Sequence, residues 1–278
     1  MRYGVDAFCA DPFSYVIVGF MEDRYKFVVN LTKEAGEKIL ESKDRHMDVS
    51  IKHNDPRDIL TNVDIEISDF ISQKIKETFP GENIYSEENT NVDLSSGSFW
   101  TIDPIDGTAN FSKDIPHFAV VLGYVHLGVA MVGTVYNPVT RELFSFEKDK
   151  GAYLNDKPIH VSSVTDIGNS TVLLSSGRKP EHWEWGMKFY KFLLGKVNKL
   201  RSLSCSGLDI CFVAAGRVEL CLYGQLTAID IIPAIGILKE AGGVIGGPNG
   251  PVDEISDKSQ IIYAANNQEN LSIVQLVV

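Results

Sequence analysis

Cysteine is scarce in this sequence, with four residues in a chain of 278 and no two of them in a C-x-x-C pair. They lie at positions Cys9, Cys205, Cys211 and Cys221. So sparse a set excludes a disulfide framework and predicts reduced thiols in a cytoplasmic protein.

Basic residues are also in deficit, because 26 Lys and Arg face 37 Asp and Glu and leave a net charge of −11. A chain this acidic has no field to attract nucleic acid or anionic lipid, which excludes both as partners. A phosphorylated ligand would then need local cations, and the excess carboxylates offer a place to hold metal ions. Hydrophobic residues make up 44% of the chain, which excludes wholesale disorder.

A signal peptide is not predicted, because Asp6, Asp11 and Pro12 interrupt the apolar stretch that one would need. Residues 1–21 are expected to be an N-terminal extension of uncertain order, either one strand or a loosely ordered tail. Residues 118–136 are apolar over a length that could span a bilayer. Three glycines and a central His-Leu-Gly turn signal interrupt them, so we expect two buried strands of one sheet and no membrane span.

The rest of the chain alternates helical and strand patterns, which predicts a layered α/β fold with helices packed on mixed sheets. Beyond the extension we expect an N-terminal α+β half over residues 22–155, with most of the candidate metal ligands. A C-terminal α/β half over 156–278 would supply Asp230 and the substrate edge. The Asn-Asp pair within residues 151–161 signals a hairpin at the boundary.

Local patterns place the individual elements. Apolar residues at 3–4 spacing predict amphipathic helices, and Pro80-Gly81 ends the second one. The predicted helices include 24–43, 64–79 and 184–196, and the predicted strands include 83–86, 98–103, 142–146 and 171–175. The segments 208–215, 218–223, 230–241 and 260–264 alternate between helix and strand.

The densest chemical motif is D-P-I-D-G-T at residues 103–108, where a predicted strand ends. Asp103 and Asp106 would repel each other there, which raises the pKa of one of them unless a cation lies between them. Such oxygen ligands favour Mg²⁺, and water and the substrate phosphate would complete its coordination. Gly107 and a helix start at Thr108 suit a bound phosphate. The alternative is a turn with solvated carboxylates.

Three more acidic positions and one loop could join this motif. Glu87 follows a predicted strand and would add a third carboxylate, unless it is a solvated loop edge. Asp64 and Asp230 begin predicted helices, where a carboxylate is favourable by itself, but the isoleucines around Asp230 make an unpaired charge costly. Residues 175–179 (SSGRK) form either a surface loop or a small anion cradle.

Together these stretches resemble the inositol monophosphatase family of Mg²⁺-dependent, lithium-sensitive sugar phosphatases. The resemblance covers about residues 22–270 and lies in a helix followed by L-T-N-V-D, E-E, W-T-I-D-P-I-D-G-T-A-N-F and D-I-I-P-A-I-G-I-L-K-E-A-G-G. It implies a phosphoric monoester hydrolase with the αβαβα sandwich of the inositol monophosphatase and fructose-1,6-bisphosphatase type. Members of the family are usually homodimers.

The resemblance also implies a metal centre of two to three Mg²⁺ ions. Glu87, Asp103 and the carbonyl of Ile105 match the ligands of the first ion. Asp103, Asp106 and Asp230 match those of the second, and Glu87 would help to hold a third. The six histidines show no H-x-x-x-H spacing, which suits oxygen-ligated metal better than zinc.

The catalytic and substrate roles come from the same resemblance. Asp64 and Thr108 match the pair that orients and activates an attacking water, with Glu87 as a further catalytic residue. No residue resembles a covalent nucleophile, so in-line attack by a metal-activated water is expected. The expected substrate-binding residues are Ile105, Asp106, Gly107, Thr108, Arg178, Lys179, Ser204, Ser206, Tyr223 and Asp230.

The leaving-group pocket departs from the family pattern. Tyr223 stands seven residues before Asp230, where inositol phosphatases commonly carry a Glu, and Lys179 replaces a small neutral residue. Ile229 replaces a common Trp. Inositol 1-phosphate is the expected substrate. A fructose-1,6-bisphosphatase or a 3′(2′),5′-bisphosphate nucleotidase, with Arg178 and Lys179 on the second phosphate, is the alternative. A non-catalytic binding protein is disfavoured because every matched ligand is present.

Overall fold

The computed structural model describes residues 12–43, 48–51, 59–88, 97–177, 179–252, 254 and 256–277, with side chains for all except 12–21, 228 and 229. The helices are α1 Pro12–Ser42, α2 Asn62–Thr78, α3 Thr108–Phe111, α4 Pro180–Leu193, α5 Ser206–Ala214, α6 Ile232–Glu240 and α7 Gln268–Gln275. The strands are β1 Val49–Ile51, β2 Ile59–Thr61, β3 Asn83–Ser86, β4 Phe99–Asp106, β5 Ala119–His126, β6 Val129–Asn137, β7 Glu142–Glu147, β8 Gly151–Leu154, β9 Lys157–Pro158, β10 Thr171–Ser175, β11 Lys199–Arg201, β12 Leu220–Thr227, β13 Val244–Gly246 and β14 Ser259–Ala265.

A seven-stranded sheet has the order β3-β4-β5-β6-β7-β8-β9. The apolar run at 118–136 forms β5 and β6, which pair antiparallel across a turn at Leu127 and Gly128. This pairing confirms the two buried strands predicted there. Within the described ranges, the search for a helix long and apolar enough to cross a membrane finds none.

The hairpin predicted within residues 151–161 is formed by β8 and β9. Asn155 and Asp156 make its turn with φ angles of 48° and 64°. Two-residue hairpin turns require this left-handed backbone, and Asn and Asp tolerate it. The hairpin belongs to the seven-stranded sheet, so the boundary predicted between residues 155 and 156 falls inside its turn.

The C-terminal sheet has five strands in the order β11-β10-β12-β14-β13. Strand β10 pairs parallel with both of its neighbours, whereas β14 pairs antiparallel with β12 and with β13. The sheet is therefore mixed, as expected for the second half of the chain.

Three apolar clusters hold the sheets and helices together. Helices α1 and α2 cover one face of the seven-stranded sheet, with Val28, Ile67 and Trp100 buried at the contact. Helices α5 and α6 fill the space between the two sheets. Helices α4 and α7 cover the outer face of the five-stranded sheet. This helix–sheet–helix–sheet–helix order confirms the expected αβαβα sandwich.

Helices α1 and α4 differ from their predicted bounds by more than two residues. Helix α1 begins at Pro12, so a strand over residues 12–21 is wrong, while residues 1–11 lie outside the described residues. Proline suits a first helical position, and the 3–4 spacing of apolar residues continues back through Ile17 to Phe13. Helix α4 starts at Pro180 rather than 184 and stops at Leu193, because Gly195 follows with a φ of 78°.

Candidate active site

The end of β4 brings two carboxylates of the D-P-I-D-G-T motif into the protein interior. Asp103 and Asp106 are both buried, and the pairing of β4 with β5 shifts register between them. Pro104, which has no amide hydrogen to donate to a neighbouring strand, lies in this irregular segment. Asp103 Oδ1 accepts a hydrogen bond of 3.1 Å from the Ile105 amide, so the local backbone fixes the orientation of the first carboxylate.

Asp106 is held by the beginning of helix α5. Its Oδ1 accepts from the amide and the hydroxyl of Ser206, each at 3.1 Å. Its Oδ2 accepts from the Gly207 amide at 2.6 Å and from the Cys205 thiol at 3.2 Å. Burial raises the pKa of Asp106, and these donors oppose that rise. The positive end of a helix thus holds a carboxylate from the other half of the chain.

Asp64 occupies the first turn of α2 and uses its two oxygens differently. Its Oδ2 accepts from the amide and the hydroxyl of Thr61, which caps the helix. Its Oδ1 lies 3.0 Å from the Thr108 hydroxyl, which also lies 2.9 Å from the Ile105 carbonyl oxygen. Burial raises the pKa of Asp64, while the donors from Thr61 and Thr108 lower it. A buried carboxylate whose protonated form is favoured in this way suits a proton acceptor.

Glu87 and Asp230 approach the same place from two other elements. The Glu87 amide donates to the Ile102 carbonyl at 3.0 Å, which continues the pairing of β3 with β4 beyond Ser86. Asp230 lies in the 3₁₀ turn Ala228–Ile231 before α6. The Tyr85 hydroxyl interacts with Asp230, and burial, then the charge of Asp230, raises the pKa of Tyr85. Asp230 Oδ1 is buried and receives no hydrogen bond from the described residues.

The D-P-I-D-G-T motif, Glu87 and Asp230 meet in a cavity of about 200 Å³. Asp64 lies outside its described lining and contacts it through the Thr108 hydroxyl. Among the residues that line it are Glu87, Asp103, Ile105, Asp106, Gly107, Thr108, Ser206 and Asp230. Four carboxylates in one cavity repel one another unless a cation lies among them. Their oxygens and the carbonyl of Ile105 are the ligand types that Mg²⁺ prefers. Among the described residues, no three His, Cys, Asp or Glu side chains form a metal site by themselves.

A cleft of about 490 Å³ adjoins the cavity and shares Glu87, Asp106, Gly107, Thr108, Ser206, Gln225 and Leu226 with it. Its wall is rich in hydroxyl groups from Ser175, Ser176, Ser202 and Ser204, and Tyr223 also lines it. Of the predicted substrate residues, Asp106, Gly107, Thr108, Ser204, Ser206 and Tyr223 line the cleft, and Ile105 and Asp230 line the acidic cavity. Lys179 is an exposed N-cap of α4 outside the described lining, and Arg178 lies outside the described residues.

Tyr223 is tied into the interior by residues that the sequence did not single out. Its hydroxyl donates to Asp209 Oδ2 at 2.6 Å, and His117 Nε2 lies 2.9 Å from Asp209 Oδ1. Burial raises the pKa of Tyr223, and the Asp209 charge adds to the rise. Asp209 follows Ser206 by three residues on α5. This helical spacing from a predicted substrate residue is the sequence signal that could have indicated Asp209.

Ser202 and Gln225 are further lining residues that the sequence analysis missed. An acidic, oxygen-lined cavity beside a hydroxyl-lined cleft, in a layered α/β fold, is the class of site that binds small polar molecules. The comparisons with known proteins narrow that class.

A model of the inositol monophosphatase family matches residues 21–277. Inositol monophosphatase 1 of Solanum lycopersicum is 35% identical over 255 residues, which cover 89% of this chain and 92% of that protein. The fructose-1,6-bisphosphatase/inositol-1-monophosphatase of Thermotoga maritima is 31% identical over 223 residues, covering 80% of this chain and 84% of that protein. A solved IMPase structure from Thermotoga maritima has a TM-score of 0.82 at 28% identity, covering 92% of this chain and 96% of that one.

The chain therefore belongs to the inositol monophosphatase family. Members of the family are hydrolases that act on phosphate monoesters of small phosphorylated sugars, so this protein is a phosphatase. The family resemblance predicted from the motifs is confirmed.

Proposed function

We propose that the protein is a Mg²⁺-dependent phosphomonoesterase that hydrolyses inositol 1-phosphate by in-line attack of water. The observation that carries the proposal is that four carboxylates and Thr108 line one cavity, which adjoins a hydroxyl-lined cleft, and that the Thr108 hydroxyl donates to the buried Asp64. Glu87, Asp103, Asp106, Asp230 and the Ile105 carbonyl would hold the ions. When bound, Mg²⁺ supplies positive charge that offsets the phosphate dianion and favours a water nucleophile.

Thr108 and Asp64 supply the route for a proton. The Thr108 hydroxyl lies at the cavity wall and reaches Asp64 Oδ1 at 3.0 Å. A water that attacks phosphorus can pass its proton to Thr108 while Thr108 passes its own to Asp64. Glu87, at the same wall, would help to orient that water. Transfer of the phosphoryl group needs little covalent assistance from the protein. Positioning of the water and the ester, together with charge stabilisation, therefore provides most of the rate enhancement.

The leaving group would occupy the adjoining cleft. Serine hydroxyls and the Gln225 amide there can each donate and accept hydrogen bonds. Such groups match the hydroxyls of a polyol, and this supports inositol 1-phosphate as the substrate.

A phosphate-release panel with the purified full chain and Mg²⁺ tests the proposal. The panel contains inositol 1-phosphate, fructose 1,6-bisphosphate, phosphoadenosine phosphate and NADP. We expect the highest kcat/KM with inositol 1-phosphate. No release from any of the four would refute the proposed activity, and a clear preference for another member would refute the substrate.

Fructose-1,6-bisphosphatase activity is the second candidate, because a relative at 31% identity carries that activity in its name. The prediction that Lys179 binds a second phosphate follows from its place at the end of the 175–179 loop, of which Ser175 and Ser176 line the cleft. Lys179→Ala is then expected to raise the KM for the bisphosphate and leave that for inositol 1-phosphate nearly unchanged. Equal effects on both substrates would remove this candidate.

A homodimer and a cytoplasmic location complete the proposal. The resemblance implies the dimer, and light scattering of the purified chain tests it. The three described cysteines, Cys205, Cys211 and Cys221, are buried free thiols, which supports a reducing compartment.

A further inference from the structure

Strand β12 is irregular at the point where the acidic cavity meets the cleft. Its pairing with β14 runs from Tyr223 opposite Ile262 to Leu226 opposite Gln260, with a register shift between them. One extra residue on β12 makes this a β-bulge, and bulges redirect side chains near active sites. The extra length falls at residues 224–225.

Two glycines let the neighbouring loop close over this bulge. A Cβ on Gly224 would lie 2.5 Å from the Ser176 carbonyl oxygen and 2.7 Å from the Trp185 ring. A Cβ on Gly177 would lie 2.8 Å from the Gln225 Cβ. Contacts this close are possible only with glycine, so the 176–177 backbone packs directly against the bulge. The Cβ of Gln225 is therefore held against the Gly177 backbone.

Gln225 lines both the carboxylate cavity and the hydroxyl-lined cleft. On the proposed function, the phosphate occupies the first space and the leaving group the second. The atoms at their junction are the ester oxygen, the carbon that carries it and the substituents on the next carbon. A side chain shared by both walls lies beside these atoms.

We propose that Gln225 is a specificity-determining residue that hydrogen-bonds a hydroxyl on the carbon next to the phosphate ester. An amide donates through Nε2 and accepts through Oε1, and a hydroxyl does both in return. An amide also adds no charge beside four carboxylates and a phosphate dianion. The substrate class is thus a monophosphate of a vicinal diol, a feature that inositol 1-phosphate has. This inference rests on the proposed function.

Cyclohexyl phosphate provides the matched test substrate, because it keeps the six-membered ring and lacks every hydroxyl. The experiment measures kcat and KM for inositol 1-phosphate and for cyclohexyl phosphate in the wild-type chain and in Gln225→Met, which keeps the side-chain length without its polar atoms. Gln225→Leu is measured beside it as a second apolar variant, with thermal unfolding to verify the fold. Gln73→Met is the control, since Gln73 is an exposed residue of α2 bonded to Glu77.

We expect Gln225→Met to raise the KM for inositol 1-phosphate about tenfold, as for a lost pair of hydrogen bonds. The KM for cyclohexyl phosphate should change less than about threefold, and Gln73→Met should change neither. Parallel changes on both substrates, or no change on either, would overturn the inference. If the wild-type chain released phosphate from neither ester, the proposed function itself would fail and the inference with it.

Discussion

The two carboxylate oxygens of Asp64 accept hydrogen bonds from two different threonine hydroxyls. This geometry allows the catalytic and the structural role of Asp64 to be tested separately. Thr108 contacts Oδ1 and also lines the cavity, whereas Thr61 contacts Oδ2 and caps α2. Thr108→Val and Thr61→Val are the same chemical change, and each removes one hydroxyl from the same buried carboxylate. The two variants are therefore matched in chemistry, and they differ in the Asp64 oxygen affected and in the helix cap that Thr61 alone provides.

Both variants should lose similar stability. Removing a hydrogen bond to a buried acceptor costs about 1–2 kcal/mol, and loss of a helix cap costs about 1 kcal/mol. Their rates should differ widely. Thr108→Val removes the proton route and should lower kcat by about 10² to 10⁴, the usual contribution of general-base catalysis. Thr61→Val leaves that route intact and should lower kcat by less than about tenfold.

The assay is phosphate release from inositol 1-phosphate with saturating Mg²⁺, paired with urea unfolding of each variant. Thr108→Ser keeps a hydroxyl and should retain most of the rate that Thr108→Val loses. Equal losses of kcat in Thr61→Val and Thr108→Val, or a normal kcat in Thr108→Val, would refute the assignment of Thr108 to proton transfer.

Three further outcomes follow from the same site. Asp103→Asn should lower the turnover with Mg²⁺ by about 100-fold or more, while its far-UV circular dichroism without metal matches wild type; near-normal turnover would contradict a bridging role. Li⁺ should compete at the site of Asp103, Asp106 and Asp230 and inhibit noncompetitively or uncompetitively against inositol 1-phosphate, and complete insensitivity would remove the lithium-sensitive assignment. Burial raises the pKa of Asp64 in the folded state, so ionisation of Asp64 destabilises the fold. The free energy of unfolding therefore falls as the pH rises through this raised pKa. Metal-free Asp64→Asn should therefore unfold at higher urea than metal-free wild type at neutral pH, and the difference should vanish below about pH 4; an unchanged difference at low pH would count against this origin.

Local sequence signals predicted those structural features that are determined by residues close together in the chain. Asn155 and Asp156 tolerate left-handed backbone and so mark a hairpin. Asp64 was predicted to begin a helix, where a carboxylate is favourable, and it lies in the first turn of α2. In each case the determining residues lie within a few positions of one another.

Local sequence signals could not predict the contacts between segments that are distant in the chain. Asp106 is held by Ser206 and Gly207, about one hundred residues later in the chain. The pairing of Tyr223 with Asp209 depends on α5 packing against β12, and the placement of Gln225 depends on a bulge fixed by its partner strand. No local pattern carries this information, because sheet pairing and layer packing decide it. For that reason, the residues of the cleft proposed for the leaving group were predicted less completely than the carboxylates of the acidic cavity.

The central claim is that the carboxylate cavity catalyses hydrolysis only with Mg²⁺ bound. The most direct measurement is phosphate release from inositol 1-phosphate by the full chain, first stripped with EDTA and then titrated with Mg²⁺. We predict no release from the stripped protein and a saturable return of activity as Mg²⁺ is added. Undiminished release in EDTA, or none at any Mg²⁺ concentration, would contradict the claim.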